Sequence, residues 1–86
     1  MLKISRAGNG DVTFTLAGRM DSEHVAEMKR LFASEKGRPI VLDLKDLTLV
    51  DFDAVKFLEQ SEADSIKLKN CPAYIREWIQ SERAAT

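Results

Sequence analysis

The chain has 86 residues, of which 44% are hydrophobic and 31% are charged, and these proportions are typical of one small soluble domain. Thirteen basic and fourteen acidic side chains give a formal net charge of -1, which argues against a nucleic-acid binder and against a basic membrane anchor. No apolar run reaches the roughly 20 residues of a membrane span, and a single cysteine, Cys71, excludes an internal disulfide and suits a reducing cytosol. We therefore expect a cytoplasmic protein without direct membrane insertion.

The first part of the chain predicts a β-hairpin. Leu2 and Ile4 alternate with polar residues, which is typical of a half-buried strand. The segment Gly8-Asn9-Gly10-Asp11 favours a chain reversal, because glycine and asparagine tolerate positive φ angles. A second strand follows over residues 12–16, where apolar residues alternate with threonines, and Gly18 is predicted to end it.

A helix and a buried strand are predicted next. Asp21-Ser22 offers a side-chain oxygen to the free amides at a helix start, and Gly37 is predicted to close that helix. The run Ile40-Val41-Leu42-Asp43-Leu44 is almost continuously apolar, which predicts a strand buried on both faces. The predicted helix carries one apolar stripe at three- and four-residue spacing, formed by Val25, Met28, Leu31 and Phe32.

The remaining elements complete an alternation of strands and helices. A second helix is predicted to begin at residues 51–53, a short strand to occupy residues 65–69, and a third helix to begin at Pro72. Residues 82–86 are predicted to be a polar tail. The order β-β-α-β-α-β-α predicts a single small α/β domain over residues 1–86 with a mixed, mostly parallel sheet. The third helix has an apolar face, Tyr74, Ile75, Trp78 and Ile79, that is predicted to pack on the sheet or, in part, to meet another subunit.

Acidic residues collect around the end of the third strand. Clustered carboxylates at strand ends can hold Mg²⁺ and accept a phosphoryl group, because hard oxygen ligands suit that ion. Aspartate is also favoured at helix starts, and the acidic pair that a receiver-type pocket has after its first strand is missing here. We favour the helix-start interpretation, and a degenerate phosphoacceptor or metal-binding domain that uses Asp51 or Asp53 is the alternative. The acidic residues are Asp43, Asp46, Asp51 and Asp53.

No pair of groups in the sequence meets the requirements of a catalytic site. His24, the only histidine, lies in the first turn of a predicted helix without an evident partner, and we interpret it as a solvated surface residue. Cys71 lies just ahead of a predicted helix, whose dipole can lower the pKa of a thiol, but structural burial is the favoured interpretation. We expect a binding module and not an enzyme, with no cofactor and no metal.

The order of these motifs resembles that of the STAS domain, the sulphate-transporter and anti-sigma-factor-antagonist family. The resemblance covers roughly residues 2–80 and implies the STAS fold. The matching segments are Leu16-Ala17-Gly18-Arg19-Met20-Asp21, Ile40-Val41-Leu42-Asp43-Leu44, Leu47-Thr48-Leu49-Val50-Asp51 and Ile66-Lys67-Leu68-Lys69-Asn70-Cys71-Pro72.

The sequence departs from the family at its regulatory position. The family's phosphorylated serine, directly after an aspartate, corresponds to Phe52, which has no hydroxyl group. The resemblance therefore implies a member that no kinase can switch at this position. The next family serine corresponds to Asp53, which is a plain helix-start acid or a fixed negative charge near the switch position.

Members of the family act by docking to other proteins. The resemblance implies a bacterial regulator of transcription whose partner is a kinase-like anti-sigma factor, bound through Asp21, Asp51, Phe52 and Asp53. Lys56 is added as an exposed neighbour from its place on the predicted helix. An accessory subunit of a membrane-lipid transport complex is the alternative binding role. Many members continue beyond the third helix, so we also expect an uncovered edge or face that a partner or a second copy could cover.

Overall fold

The computed structural model describes residues 1–35 and 37–85, which form four strands and three helices in the predicted order. The strands and the helices alternate after an initial hairpin, as the sequence pattern indicated. In chain order they are β1 (Leu2–Asn9), β2 (Asp11–Met20), α1 (Ser22–Ala33), β3 (Ile40–Val50), α2 (Phe52–Ala63), β4 (Lys67–Lys69) and α3 (Ala73–Ala84).

The strands form one mixed sheet in the order β1-β2-β3-β4. β1 pairs with β2 antiparallel, while β2–β3 and β3–β4 are parallel pairs. The parallel pairs arise because α1 and α2 carry the chain back to the start of the sheet before each new strand. The predicted α/β fold with a mixed, mostly parallel sheet is confirmed.

The core lies on one face of the sheet only. Val12, Phe14 and Leu16 of β2 are buried, whereas the alternating Thr13 and Thr15 are half-buried. β3 behaves in the same way, since Leu42 is buried while its neighbour Val41 is half-buried, so the prediction of a strand buried on both faces was wrong. The helices supply the opposing side of the core through Met28, Ala54, Val55, Phe57, Leu58, Ile75 and Ile79.

Two predicted strand boundaries were wrong. β2 does not end at Gly18 but continues to Met20, and β3 continues from the apolar run to Val50. The pairing register between these two strands shifts after Thr15 and again after Gly18. Gly18 has a φ of 99°, and a Cβ there would lie 2.5 Å from the Met1 carbonyl oxygen. Glycine therefore permits a bulge and a close chain approach at this point instead of ending the strand.

Three predicted helix boundaries also need correction. α1 ends at Ala33 with Ser34 as its C-cap, and Gly37 lies in the turn beyond with a φ of 81°. Pro72 is the N-cap of α3 and not its first residue. α3 continues to Ala84, so most of the predicted polar tail is helical, and Thr86 lies outside the described residues.

Aspartates start the first two helices, as predicted. Asp21 caps α1 by accepting a hydrogen bond from the Glu23 amide at 3.1 Å, and His24 Nδ1 accepts from the Asp21 amide at 3.2 Å. Asp51 caps α2 by accepting from the Ala54 amide at 2.9 Å. These carboxylates satisfy amides that have no partner within the helix and interact favourably with its dipole.

Ion pairs connect elements that are distant in sequence. Arg6 of β1 donates two hydrogen bonds of 2.9 Å to Glu35, which follows α1. Glu62 of α2 accepts from Arg76 and Arg83 of α3 at 2.9 and 2.7 Å, and these hydrogen bonds hold the pKa of its carboxyl below the ordinary value. Over residues 1–35 and 37–85, no helix has the length and apolar character needed to cross a membrane.

The cap at Asp51 predicts a measurable loss of stability in Asp51→Ala. The substitution removes the acceptor for the Ala54 amide, and we expect the free energy of unfolding in urea to fall by about 1–2 kcal/mol. The matched control is Asp53→Ala, because Asp53 is an exposed acid in the same first turn without a capping hydrogen bond. We expect a loss of about 0.5 kcal/mol or less for the control. Equal losses in the two variants would contradict a capping role for Asp51.

The Glu62 contacts predict that the native chain is more stable than Glu62→Gln by an amount that depends on pH. Since the folded pKa lies below the ordinary value of about 4.5, the stabilising contribution is present above that pH and is lost as the pH falls through the folded pKa. In urea titrations at pH 7, we expect the free energy of unfolding of Glu62→Gln to be about 1 kcal/mol lower than that of the native chain. At pH 3 we expect the two free energies of unfolding to differ much less. Glu77→Gln, an exposed change on α3, is the control and should show no such pH dependence. A difference that stays constant from pH 7 to pH 3 would argue against the ionic contribution.

Candidate functional site

The ends of β2 and β3 place the starts of two helices side by side. Met20 pairs with Val50 at the end of these parallel strands, and each strand leads directly into a helix. The Asp51 amide donates to the Met20 carbonyl at 3.3 Å. Besides capping α2, the Asp51 carboxylate accepts a hydrogen bond from the Ser22 amide of α1 at 3.1 Å. One side chain therefore fixes the relative position of both helix starts.

Phe52 is the first residue of α2, and its side chain is exposed. The residue is 52% exposed, so this corner of the molecule is not covered by other side chains. Two further large hydrophobic residues are exposed, Leu49 near the end of β3 at 59% and Tyr74 at the start of α3 at 45%. The Tyr74 hydroxyl donates to the Thr48 carbonyl, which places α3 beside the end of β3. We refer to Leu49, Phe52 and Tyr74 as the corner patch.

Charged residues of the predicted site lie along the same helix. Asp53 is exposed in the first turn of α2, and Lys56 one turn later is half-buried with its amine 3.5 Å from Glu59 Oε1. The structure thus brings Phe52, Asp53 and Lys56 together on the exposed side of α2. Asp21 and Asp51 differ from them because their carboxylates already accept hydrogen bonds from helix amides.

The acidic residues do not converge on a cation site. Burial tends to raise the pKa of Asp43, but hydrogen bonds from the Lys45 amide and the Asn70 side chain lower it overall. Asp46 is exposed on β3, and Asp51 is occupied as a cap. In the part of the chain that the structure describes, no three His, Cys, Asp or Glu side chains are grouped to hold a metal ion.

For three other residues the structure can be compared with the interpretation made from the sequence. His24 is not simply solvated, because it completes the cap of α1 through the Asp21 amide. Cys71 is half-buried, and burial raises the pKa of its thiol, as suits the structural interpretation. Tyr74 was expected on the apolar face of α3, but only Ile75 and Ile79 are fully buried there, with Trp78 packed against the core.

Sequence reasoning missed Leu49 as a surface residue. From the sequence, Leu49 was named only as part of a segment that resembles the family, and no exposure was predicted for it. The register shifts between β2 and β3 break the alternation before this point, and Thr48 and Leu49 are both exposed. Asp46 and Thr48 flank Leu47, which is still buried, so these polar residues are the signal of a local irregularity in the strand.

Solved structures provide the comparisons for this fold. The chain is similar to the anti-sigma factor antagonist SpoIIAA in its unphosphorylated form, with a TM-score of 0.64 and 18% identity over 93% of this chain and 82% of that one. It is also similar to a DUF3478-family protein with a SpoIIAA-like fold from Shewanella loihica PV-4, with a TM-score of 0.56 and 15% identity over 73% of this chain and 56% of that one.

A third similar structure is much longer. The chain matches Mglu with a TM-score of 0.58 and 16% identity over 78% of its own length but only 18% of that protein. No family model and no curated protein matches the sequence. At these identities the comparisons concern architecture. The order of elements, the mixed sheet and the match to SpoIIAA together show that the chain has a SpoIIAA-like fold.

Proposed function

We propose that this chain is a non-catalytic protein–protein interaction module that resembles an anti-sigma-factor antagonist. It docks a regulatory protein partner through the exposed start of α2, without control by serine phosphorylation. The observation that carries the proposal is the exposure of Phe52 at the position where the STAS family has its phosphorylated serine. The sequence resemblance and the SpoIIAA-like fold support a docking role at this surface.

The exposed aromatic ring suits a contact with another protein. Aromatic side chains are enriched among the residues that dominate binding energy, especially where charged groups surround them. Asp53 and Lys56 lie next to Phe52 on α2 and supply such a polar rim. Burying the exposed half of the ring would contribute about 1 kcal/mol from apolar area alone. Close packing in a partner's pocket adds to this contribution.

A rigid support lowers the free-energy cost of docking. The caps at Asp21 and Asp51 fix the two helix starts, so Phe52 is held on an ordered turn before the partner arrives. In this proposal Asp21 and Asp51 shape the surface, while Phe52, Asp53 and Lys56 touch the partner. Leu49 and Tyr74 extend the same contact.

Docking of this kind is constitutive. Phenylalanine at position 52 cannot accept a phosphoryl group, so binding depends on the partner's concentration and not on a kinase and phosphatase acting here. A kinase-like anti-sigma factor is the partner that the resemblance favours. A component of a lipid-transport complex is the alternative, and the identity of the captured protein distinguishes the two.

Phe52→Ala tests the docking surface directly. With the native chain as bait, affinity capture from the extract of the source cells identifies the partner, and titration with the purified partner gives the dissociation constant. We expect Phe52→Ala to weaken binding by about 2 kcal/mol, roughly 30-fold, if the ring is a dominant contact. We expect the melting temperature to change little, because the ring is half-exposed in the free protein.

Val41→Ala is the matched control for this experiment. Val41 is a half-buried apolar residue on the sheet face that the helices leave uncovered, away from α2. Its substitution should leave partner affinity unchanged. Unaltered affinity in Phe52→Ala, or an equal loss in both variants, would reject docking at the start of α2.

The phosphoacceptor alternative predicts a different outcome. Incubation of the native chain with Mg²⁺ and acetyl phosphate, followed by intact-mass measurement, would add one phosphoryl group if Asp51 or Asp53 were an acceptor. We expect no change in mass, because Asp51 already accepts hydrogen bonds from two helix amides. Asp51→Asn and Asp53→Asn are the controls that would locate a modification if the mass rose. A mass increase abolished by either variant would replace the docking proposal with phosphotransfer.

A further inference from the structure

A groove separates α1 from α2 on the helical side of the molecule. Its volume is about 610 Å³, within the range usual for small-molecule sites. On α2 it extends from Asp53 to Asp64, which at a rise of 1.5 Å per residue is roughly 16 Å. The residues that line it are Ser22, Val25, Lys29, Phe32, Asp53, Lys56, Phe57, Gln60, Ser61, Asp64 and Ile66.

The groove has an apolar lining that the fold does not cover completely. Phe57 is buried, but Val25, Phe32 and Ile66 are only half-buried although all three pack against the core. The rings of Phe32 and Phe57 stack with their centroids 5.4 Å apart and join the two walls. Apolar surface therefore remains accessible along the groove, and a ligand with an apolar chain would remove it from water.

Charged groups are distributed unevenly along the groove. Asp53 lies at the end where α2 begins, and Asp64 lies at the other end, where it accepts a hydrogen bond of 3.3 Å from Gln60. Lys29 and Lys56 lie between these ends on opposite walls. Lys29 forms no hydrogen bond or ion pair with any residue in the ranges 1–35 and 37–85, and Lys56 has only the 3.5 Å contact with Glu59. Two ammonium groups are thus available to a ligand in the middle of the groove.

We propose that this groove binds a small anionic amphiphile, an alkyl chain that ends in one carboxylate or phosphate group. The chain lies over Phe32 and Phe57, and the anionic group pairs with Lys29 and Lys56. The ammonium groups select a negative head group over a positive one, and the apolar lining selects a chain over a free anion. The groove shares Asp53 and Lys56 with the proposed docking surface but not Phe52, so substitution of Phe52 tests docking without changing the lining of the groove.

Titration of the ¹⁵N-labelled chain with decanoate, below its critical micelle concentration, tests the proposal. We expect saturating shifts of the amide resonances of Val25, Lys29, Phe57 and Gln60. Decyltrimethylammonium at the same concentrations should shift them at least tenfold less strongly. Decyl phosphate and decanoate compared in parallel show which of the two head groups the site prefers. Shifts confined to other surfaces, shifts that do not saturate, or equal binding of the cationic amphiphile would each overturn the proposal.

Matched lysine variants separate a specific site from general attraction. The double variant Lys29→Gln/Lys56→Gln should bind decanoate at least tenfold more weakly, whereas Lys45→Gln/Lys67→Gln changes two exposed lysines outside the groove and should bind as the native chain does. Val25→Trp should fill the groove and abolish the shifts while the spectrum remains that of a folded protein. Phe52→Ala should bind decanoate as the native chain does, so a loss of partner binding in this variant would not be accompanied by a loss of decanoate binding. If Lys29→Gln/Lys56→Gln bound decanoate as tightly as the native chain does, the proposed site would be rejected.

Discussion

The carboxylate of Asp51 accepts hydrogen bonds from the first turns of two helices, from the Ala54 amide at 2.9 Å and from the Ser22 amide at 3.1 Å. α1 and α2 begin side by side because the ends of β2 and β3 are adjacent in a parallel pair. Two neighbouring helix starts bring two sets of unpaired amides and two positive dipole ends together, which is unfavourable without a negative group between them. Asp51 supplies that group, and the geometry of the whole corner follows from its position.

The exposure of Phe52 is a consequence of helix geometry. α2 turns Ala54, Phe57 and Ser61 into the core, and at 3.6 residues per turn the first residue of the helix then lies on nearly the opposite side. A serine at this position would be equally exposed, so the fold presents residue 52 to other molecules whatever its side chain. Phenylalanine changes the chemistry of the contact. A serine hydroxyl can be phosphorylated and so become charged, whereas a phenyl ring contributes favourably to binding only when a partner covers it.

Much of the fold could be predicted from local patterns, and the failures have a common physical cause. The order of elements and the aspartate caps depend on neighbouring residues, so the sequence indicated them correctly. The strand ends depend on pairing with distant residues. β2 continues through Gly18 because β3 pairs with it, and Leu49 becomes exposed because the register between those strands shifts. The apolar run of β3 suggested two covered faces, but the helices formed by residues 1–35 and 37–85 pack on only one. At the candidate site, Phe52 and Asp51 could be proposed from the sequence and their binding role stays a prediction, whereas the position of Tyr74 beside β3 became clear only from its contact with Thr48.

The groove arises from the packing of α1 against α2. Helices in close contact usually interlock small and medium side chains, but here two phenylalanine rings stack between the walls. Phe32 also lies 5.9 Å, centroid to centroid, from Phe14 of β2, so the ring is supported by the sheet and cannot move aside without disturbing the core. The stacked rings thus form the contact between α1 and α2 below their starts, while Asp51 links the starts themselves. The groove lies between these helices, and both rings line it. Phe52 itself does not face this space, but Asp53 and Lys56 border both surfaces, so the proposed protein contact and the groove lie next to each other on one short helix.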